Sequence, residues 1–244
     1  MPLDRFSGHA HQYATFRPTY PTALYEFIYS LIKNFDNAWD AGTGNGQVAS
    51  VLGKKFKKVE ATDISEKQLK YAAVADNIAY SLAGETTPFS AAHFDLITVA
   101  QAIHWFDREK FFQEVRRVGK PGAVVAVWGY GLLSINEAID PIIKNFYVNV
   151  IGPYWDKERK LVDEAYKTIS FPFQEIPCPP FSFSFEWAPE ELHGYLTTWS
   201  SVQKFMKEKN SNPVDGLMAA VRQNWKSGKM KINFPLFTRI GLID

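Results

Sequence analysis

The segment from Asn37 to Gln47 constrains the fold of this 244-residue chain more than any other part of it. It predicts a short strand, a turn with three glycines in five positions, and the start of a helix. Glycine has no side chain and reaches backbone angles that other residues avoid, so such a turn lets the main chain touch a flat polar ligand. Val48, Leu52 and Phe56 then recur every four residues, which predicts an apolar helix face packed on a sheet. The segment therefore predicts a loop that cradles a nucleotide.

The spacing of Gly42, Gly44 and Gly46 distinguishes two kinds of nucleotide. Loops that bind a dinucleotide follow the pattern G-x-G-x-x-G and hold the pyrophosphate at the N-terminus of the helix. Gln47 stands at the position of the third glycine in that pattern, so the close contact between helix and strand that glycine allows is missing from its usual place. This turn favours a nucleoside without phosphates.

An acidic residue ends the second predicted strand, which covers 58–63. Asp63 follows Gly42 by 21 residues, close to the separation at which a carboxylate binds the ribose of a nucleotide held by such a loop. A carboxylate at this position accepts hydrogen bonds from both ribose hydroxyls. The alternative is that Asp63 only caps the helix that follows Ser65.

Strands and helices continue to alternate along the first half of the chain. Further strands are predicted over 78–83, 94–100 and 123–128. Ser65 and Gln68 predict a capping box at the start of one helix, and Asp107 predicts the cap of another. This alternation predicts an α/β fold with a mostly parallel sheet, helices on both faces, and ligands at the carboxyl ends of the strands.

Beyond residue 128 the pattern changes to helices separated by breaks that contain proline or glycine. These helices are predicted over 136–150, 156–168, 189–209 and 214–227. Two strands interrupt them, over 181–185 and over 234–242. Pro235 favours an edge or a bulge in the second of these strands.

Taken together, these motifs resemble those of the class I methyltransferases that use S-adenosylmethionine. The run 40–46 is similar to the first motif of that family, and Asp63 is similar to its ribose-binding acid. The run 94–106 is similar to the fourth strand of the family and its active-site loop. The run 118–122 is similar to the turn into the fifth strand. The resemblance implies a Rossmann-like, seven-stranded, mostly parallel sheet whose last strand is antiparallel, with a C-terminal helical cover.

Within the family, the chain is similar to the subgroup that includes trans-aconitate methyltransferase. The similarity involves residues 6–21 and the C-terminal runs 199–200 and 234–241. It implies a single methyltransferase domain over 1–244. The parts of that domain are a cofactor-binding core over 37–128, a contribution to the substrate cover over 129–228, and an N-terminal lid for cofactor and substrate over 1–30.

The resemblance implies S-adenosylmethionine as the cofactor. The residues that it assigns to cofactor binding are Asp40, Gly42, Thr43, Gly44, Gly46, Asp63, Ile64, Gly84, Glu85, Gln101, Tyr13 and Arg17. Asp40 would hold the methionine amino end. Ala83 stands where the family often has an acid, so recognition of adenine would fall to the main chain around Gly84 and Glu85. Alternatively, Glu85 is a surface acid and Arg17 a surface cation.

His104 and Trp105 are the candidate catalytic residues, because the resemblance places them beside the point of methyl transfer. Histidine can take a proton at neutral pH, so His104 is a candidate base; the alternative is a residue that is structural or orients the substrate. The ring of Trp105 either faces the sulfonium cation or belongs to the core. A carboxylate acceptor needs no base, whereas a phenol, an alcohol or a protonated amine needs one.

The amino-acid composition limits the classes of molecule that the protein is expected to bind. The chain has 27 basic and 26 acidic residues, so no strong field attracts nucleic acid or anionic lipid, and the expected partner is a small-molecule methyl acceptor. The subgroup resemblance suggests that the acceptor is a carboxylic acid. Cys178 is the single cysteine, which fits a reducing cytoplasm, and no apolar run suggests a membrane span. His9 and His11 lack neighbouring ligands, so no metal is expected.

Two other functions fit the same motifs. A nicotinamide-dependent oxidoreductase also uses a glycine turn and a ribose acid on a parallel sheet, but Gln47 and the early third glycine count against it. A protein that binds S-adenosylmethionine without transferring the methyl group has the same pattern. The aromatic helices beyond residue 128 suit either a pocket or a subunit interface, so the oligomeric state is left open.

Overall fold

The computed structural model describes residues 19–226 and 228–244. Tyr13 and Arg17, two of the predicted cofactor-binding residues, lie outside these described residues. The same holds for His9 and His11, and for the first 18 residues of the predicted lid.

The first half of the chain alternates between helices and strands, as predicted. Its elements are α1 (Thr22–Ser30), β1 (Asn37–Ala41), α2 (Gln47–Leu52), β2 (Lys58–Asp63), α3 (Glu66–Lys70), β3 (Ile78–Leu82), β4 (Phe94–Ala100), α4 (Arg108–Val118) and β5 (Gly119–Tyr130). A 3-10 turn, Ile103–Trp105, lies between β4 and α4. The side chain of Asp107 caps α4 by accepting from the amide of Lys110, as predicted.

Only half of the predicted capping box forms. The hydroxyl of Ser65 accepts a hydrogen bond from the amide of Gln68 and so caps α3. The side-chain oxygen of Gln68 does not reach back, because it is buried and has no hydrogen-bond partner among the described residues.

The second half of the chain contains short helices and three strands. Its elements are α5 (Asp140–Asn145), a π-helical turn (Phe146–Val150), a 3-10 turn (Gly152–Tyr154), α6 (Arg159–Asp163), β6 (Gln174–Glu175), β7 (Phe181–Trp187), α7 (Pro189–Thr197), α8 (Ser200–Lys209), α9 (Pro213–Gln223) and β8 (Met230–Leu242). The helix predicted over 189–209 is in fact two helices, because Trp199 has an extended backbone. The helix predicted over 156–168 is shorter, because Ala165 and Tyr166 adopt left-handed backbone angles.

The strands form one sheet in the order β3-β2-β1-β4-β5-β8-β6, and β7 also pairs with β8. Strands β1 to β5 are parallel, whereas β8 is antiparallel to β5. The predicted fold class is confirmed. The sheet has eight strands rather than seven, because Gln174 and Glu175 add a two-residue strand that is too short to show a period in the sequence.

Pro235 is not on an edge, contrary to the sequence-based expectation, since β8 has partners on both sides. Pro235 lies opposite Ser182 of β7, and the pairing of β8 with β5 ends one residue away, at Leu236 and Tyr130. The carbonyl of Pro235 accepts a hydrogen bond from the amide of Gly131 at 3.0 Å. Proline is tolerated here because the ladder with β5 ends at this position.

Both faces of the sheet are covered by helices. On one face, Leu24 of α1 and Leu52 of α2 pack against strand residues that include Trp128. On the other face, α4 contributes the predicted apolar stripe, which consists of Phe111, Phe112, Val115 and Val118. A third cluster lies under the C-terminal helices. Helices in the described part of the chain are too short or too polar to span a bilayer.

Candidate functional site

The carboxyl ends of the central strands bring the predicted binding residues to one edge of the sheet. Asp40 is in register with Ala61 of β2 and with Thr98 of β4, so the loops that follow these three strands are neighbours. This is where ligands bind in open α/β sheets.

The glycine loop after β1 has three left-handed residues, and its glycines are required for different reasons. The φ angles are 68° at Gly42, 57° at Gly44 and 79° at Gly46. A Cβ on Gly42 would lie 2.6 Å from that of Ala102, and a Cβ on Gly46 would overlap the hydroxyl of Tyr80. A Cβ on Gly44 would meet no atom of the described residues within 4 Å. With respect to that part of the chain, the main chain of Gly44 therefore faces open space, which leaves room for a ligand to approach.

Asp40 is the buried acid of the site, with 1% of its surface exposed. Its carboxylate accepts hydrogen bonds from the hydroxyls of Thr43, at 2.5 Å, and Thr98, at 2.8 Å. Burial raises the pKa of Asp40 to about 6, although these two hydrogen bonds oppose the shift. A ligand cation near Asp40 would favour the charged carboxylate and lower this pKa.

Asp63 connects the glycine loop to the loop after β2. One carboxylate oxygen accepts from the amide of Gly44 and the other from the amide of Ser65, both at 2.8 Å. Carboxylate oxygens are acceptors that suit ribose hydroxyl donors. The sequence predicted an acid at this strand end, but it did not predict the hydrogen bond between Asp63 and Gly44.

Apolar side chains border the site on the side of β3. Ile64 is 42% exposed, and Leu82, which the sequence analysis did not select, is 58% exposed. A Cβ on Gly84 would lie 3.8 Å from Cγ2 of Ile64, so these two residues face each other across a narrow gap. Glu85 accepts a hydrogen bond from the amide of Asp107 at 2.9 Å, which joins the loop after β3 to the start of α4.

A cavity of about 50 Å³ lies beyond the ends of β4 and β5. Three residues selected from the sequence line it: Gln101, His104 and Trp105. The remaining lining residues come from the end of β5 and from the C-terminal half of the chain, namely Tyr130, Trp155, Asp156, Arg159, Tyr195, Trp199 and Ser200. Most of the cavity wall is therefore aromatic.

His104 is buried, with 6% of its surface exposed. Its Nδ1 lies 2.8 Å from the hydroxyl of Tyr166, and its ring centroid lies 4.8 Å from that of Trp105, which is half-buried. Burial, together with the positive charges of Arg159 and Arg108, lowers the pKa of His104 to about 3. The imidazole is therefore neutral at neutral pH and is a weak proton acceptor.

Gln101 has a left-handed backbone, with φ of 53°, at the end of β4. A residue other than glycine in this conformation costs on the order of 1–3 kcal/mol, and such strain is concentrated at functional sites. The side-chain amide of Gln101 donates to the carbonyl of Tyr130 at 3.3 Å. Its carbonyl oxygen is buried against Gly129 and has no hydrogen-bond partner in the described part of the chain.

Arg159 is the cavity residue that the sequence analysis missed. Its guanidinium carbon lies 4.7 Å from the ring centroid of Trp155 and 5.3 Å from that of Tyr147. Its Nε donates to the hydroxyl of Tyr147 at 2.6 Å and contacts Asp163 at 3.3 Å. Within residues 19–226 and 228–244, neither Nη atom has a hydrogen-bond or ion-pair partner. No motif marks Arg159, because its role depends on contacts that only the fold creates.

The described residues contain no group of three or more His, Cys, Asp or Glu side chains that could hold a metal ion. The site is made of main-chain amides, the carboxylates of Asp40, Asp63, Glu85 and Asp156, aromatic rings and the guanidinium of Arg159. This donor set fits an adenosyl group with a positively charged amino acid tail.

Comparison with known proteins agrees with this geometry. Residues 39–127 match the methyltransferase domain family. A protein of Dictyostelium discoideum that carries the name of a methyltransferase is 32% identical over 244 residues, which cover 96% of this chain and 93% of that protein.

Solved structures also resemble this one. A protein from Anaeromyxobacter dehalogenans described as a type II methyltransferase is 33% identical, with a TM-score of 0.86, over 93% of this chain and 98% of that one. A protein from Bacillus halodurans is 21% identical with a TM-score of 0.52, over 91% and 99% of the two chains, which is a likeness of fold alone. From the family match, the full-length relative and the geometry of the glycine loop, we conclude that the chain belongs to the class I S-adenosylmethionine-dependent methyltransferases.

Proposed function

We propose that this protein transfers a methyl group from S-adenosylmethionine to a carboxylate oxygen of a small acid. The observation that carries the proposal is the guanidinium of Arg159, whose two Nη atoms lack partners among the described residues and which lines the cavity beyond β4. The end edge of a guanidinium, formed by its two Nη groups, matches a carboxylate in shape and charge. The subgroup similar to trans-aconitate methyltransferase has the same chemistry.

The cofactor would lie along the carboxyl ends of β1, β2 and β3. Asp63 would accept from the ribose hydroxyls, and Ile64 and Gly84, with Glu85 nearby, would border the adenine. Asp40 would attract the positively charged amino group of the methionine part. Gly42, Thr43, Gly44 and Gly46 would shape the main chain beneath it. Tyr13 and Arg17 remain proposals for the N-terminal lid, and Gln101 a proposal for the junction between cofactor and acceptor.

The reaction needs positioning more than acid–base chemistry. When bound, S-adenosylmethionine supplies an activated methyl group: the carbon–sulfur bond breaks with its electrons on a neutral thioether, and a carboxylate takes the methyl without releasing a proton. Well-oriented pairs of reactants reach effective molarities of about 10⁵ to 10⁸ M, which supplies much of the acceleration. His104, with a pKa lowered to about 3, is suited to such a reaction because no base is required.

The local charges support an anionic acceptor held at Arg159. Asp156 lines the same cavity, but it forms an ion pair with Lys204 at 2.7 Å. Asp163 contacts only Nε of Arg159 and is half exposed, so its charge is partly screened by solvent. The outer edge of the guanidinium therefore remains available to an acid.

The aromatic wall supports a small acceptor with an apolar part. Trp105, Tyr130 and Trp199 border the cavity, and their rings offer apolar contact surface to such an acceptor. In this proposal, residues 37–128 form the cofactor-binding core, residues 129–228 contribute the substrate cover, and the whole chain is one catalytic domain. A cytoplasmic location remains a prediction from the single cysteine.

The direct test is methyl transfer from isotopically labelled S-adenosylmethionine to a panel of small carboxylic acids, each paired with its neutral amide. We expect labelled methyl esters from acids with an apolar part, and no product from the amides. Phenols and amines belong in the same panel. Transfer to phenols or amines alone would contradict the carboxylate assignment. Cofactor binding without transfer to any compound would favour the non-catalytic alternative, and a rise in melting temperature with NAD alone would favour the oxidoreductase.

A further inference from the structure

The pair formed by His104 and Tyr166 connects the loop after β4 to the segment after α6. The hydroxyl of Tyr166 lies 2.8 Å from Nδ1 of His104, and both side chains are buried. Among the described residues, that hydroxyl has no other hydrogen-bond partner. The other ring nitrogen of His104, Nε2, has none in the same part of the chain, and His104 lines the cavity.

The donors and acceptors that are present assign the direction of the hydrogen bond between Tyr166 and His104. A phenol has one O–H donor, and burying that donor without an acceptor costs about 1–3 kcal/mol. Nδ1 of His104 is the one acceptor that the described structure provides, so the O–H of Tyr166 donates to it. A neutral imidazole carries a single proton, which must then be on Nε2. In the opposite arrangement, Nδ1–H would donate to Tyr166 and the phenol O–H would be left without an acceptor.

We infer that Tyr166 is a positioning residue that holds His104 in the Nε2–H tautomer. In this tautomer His104 donates a hydrogen bond into the cavity that it lines together with Arg159, which we name the acceptor cavity. His104 then does not act as a base. The imidazole stays neutral because it is buried and because the cations Arg159 and Arg108 are close enough to oppose its protonation. The tautomer itself does not depend on the proposed reaction; only the identity of the group that receives the hydrogen bond does.

The backbone around Tyr166 is strained, and contacts from β8 hold it in place. Ala165 and Tyr166 have φ angles of 53° and 58°, and two left-handed residues in succession are costly without glycine. Arg239 of β8 offsets this cost, because its Nη1 donates to the carbonyls of Tyr166, at 2.9 Å, and Ile169, at 3.0 Å. The ring of Phe237, also on β8, packs edge-on against that of Tyr166.

The consequence for the reaction is a pair of donors in one cavity. Nε2–H of His104 and the free Nη atoms of Arg159 both suit an acceptor oxygen that already carries negative charge. An alcohol or a protonated amine, which must lose a proton to react, would find no proton acceptor in His104. The tautomer therefore favours an acceptor oxygen that needs no proton removed by His104, and this argument does not use the subgroup resemblance.

The test is nitrogen-15 NMR of protein labelled at its five histidines, without acceptor, with His104→Gln used to assign the signals of His104. We expect wild-type His104 to show a protonated Nε2 and an unprotonated, hydrogen-bonded Nδ1 at neutral pH. In Tyr166→Phe, the Nδ1 signal should move toward that of an unbonded nitrogen. Tyr154→Phe, which removes an exposed hydroxyl that bonds Glu208, should leave it unchanged.

A wild-type signal from Nδ1–H or from a protonated ring would overturn the inference, and so would an Nδ1 signal that is the same in Tyr166→Phe. The wild-type spectrum decides the tautomer even if Tyr166→Phe does not fold. Since no acceptor is present, the measurement is also separate from the proposed function. Failure to methylate carboxylic acids would leave the tautomer result intact, and an incorrect tautomer would leave carboxylate methylation possible.

Discussion

The carboxylate of Asp63 accepts a hydrogen bond from the main-chain amide of Gly44 at 2.8 Å, so the end of the second strand holds the open position of the glycine loop. Gly44 is the loop glycine at which an added Cβ would meet no atom among residues 19–226 and 228–244. The same carboxylate that is proposed to bind the ribose therefore also shapes the main chain on which the cofactor would lie. Removing it should affect the loop and the ligand together.

Replacing Gly44 with alanine tests whether the open space above the loop belongs to the cofactor. Gly44→Ala places a Cβ in that space, and we expect the Kd for S-adenosylhomocysteine to rise at least ~10-fold, equivalent to ~1.4 kcal/mol. Gly122→Ala is the matched control, because Gly122 also has a positive φ and open surroundings but lies in the turn at the start of β5. Both variants should lose similar stability, about 1–2 kcal/mol. Equal affinities by calorimetry would refute the assignment of this space.

Replacing Asp63 with asparagine should lower both stability and cofactor affinity. We expect a loss of about 1–3 kcal/mol in the free energy of unfolding, because one of the two main-chain amides loses its acceptor, and a clear rise in Kd for S-adenosylmethionine. Asp95→Asn is the control. Asp95 also accepts two main-chain amides, from Asp36 and Asn37, but it does so at the opposite end of the sheet. If Asp95→Asn weakened cofactor binding as much as Asp63→Asn, the ribose assignment would be wrong.

Replacing Arg159 with glutamine should raise the KM for a carboxylate acceptor by at least ~10-fold, because hydrogen bonds to charged groups contribute about 1.5–3 kcal/mol. The Kd for S-adenosylmethionine should stay the same. Arg222→Gln serves as the control, since Arg222 pairs with Glu190 on the surface between α7 and α9. Initial rates and calorimetry separate the two effects. An unchanged KM in Arg159→Gln would exclude this arginine as the site of the acceptor carboxylate.

The raised pKa of Asp40 predicts a dependence of stability on pH. The pKa is about 6 in the folded state and 3.8 for an ordinary aspartate, so between these pH values the folded state holds a proton that the unfolded state has released. Stability from this group is therefore present at low pH and is lost as the pH rises through 6. From pH 5 to pH 8 the loss is about 1.4 kcal/mol. The test is urea unfolding of the wild type and of Asp40→Asn at pH 5 and at pH 8. The difference in free energy of unfolding between the two proteins should change by that amount from one pH to the other. A difference that is the same at both pH values would refute the raised pKa.

The protonation state of Asp40 should also control the affinity for the cofactor. A ligand ammonium near Asp40 favours the charged carboxylate, so the affinity for S-adenosylmethionine should increase as the pH rises from 5 to 7. Asp40→Asn should bind more weakly and should lose this dependence on pH. Retention of the wild-type pH profile by Asp40→Asn would show that another group is responsible.

Substitutions of His104 distinguish a donor from a base. The amide of glutamine mimics the Nε2–H donor of histidine, so His104→Gln should retain kcat/KM within ~10-fold, whereas His104→Leu should lose a further ~10-fold or more, since it removes a hydrogen bond to a charged group. Because the pKa of His104 is lowered to about 3, the wild-type rate should show no inflection from this residue near pH 6.5. Equal losses in both variants would favour a role in proton transfer.

Much of the fold follows from patterns within short stretches of sequence. The strand over 94–100 is continuous in hydrophobic character, and the stripe from Phe111 to Val118 repeats with the helical period, so each element was predictable from its neighbours in the chain. The glycine loop was predictable for the same reason, since a strand, three glycines and a helix are consecutive. The two-residue strand β6 was not, because two residues contain no period.

The sequence by itself determined the glycine loop and the acid at the end of β2, where we propose that a nucleoside is held, because these features depend on main-chain geometry and on positions at strand ends. The tertiary structure alone decided how the acceptor cavity is built. His104 meets Tyr166 across 62 residues of chain, and Arg159 lines the same cavity as His104 and Tyr130, which belong to the first half of the chain. Such contacts depend on how helices from the second half pack over the sheet, and no local period encodes that packing. The proposed proton position on His104 rests on its contact with Tyr166, so it could be argued only from the folded protein.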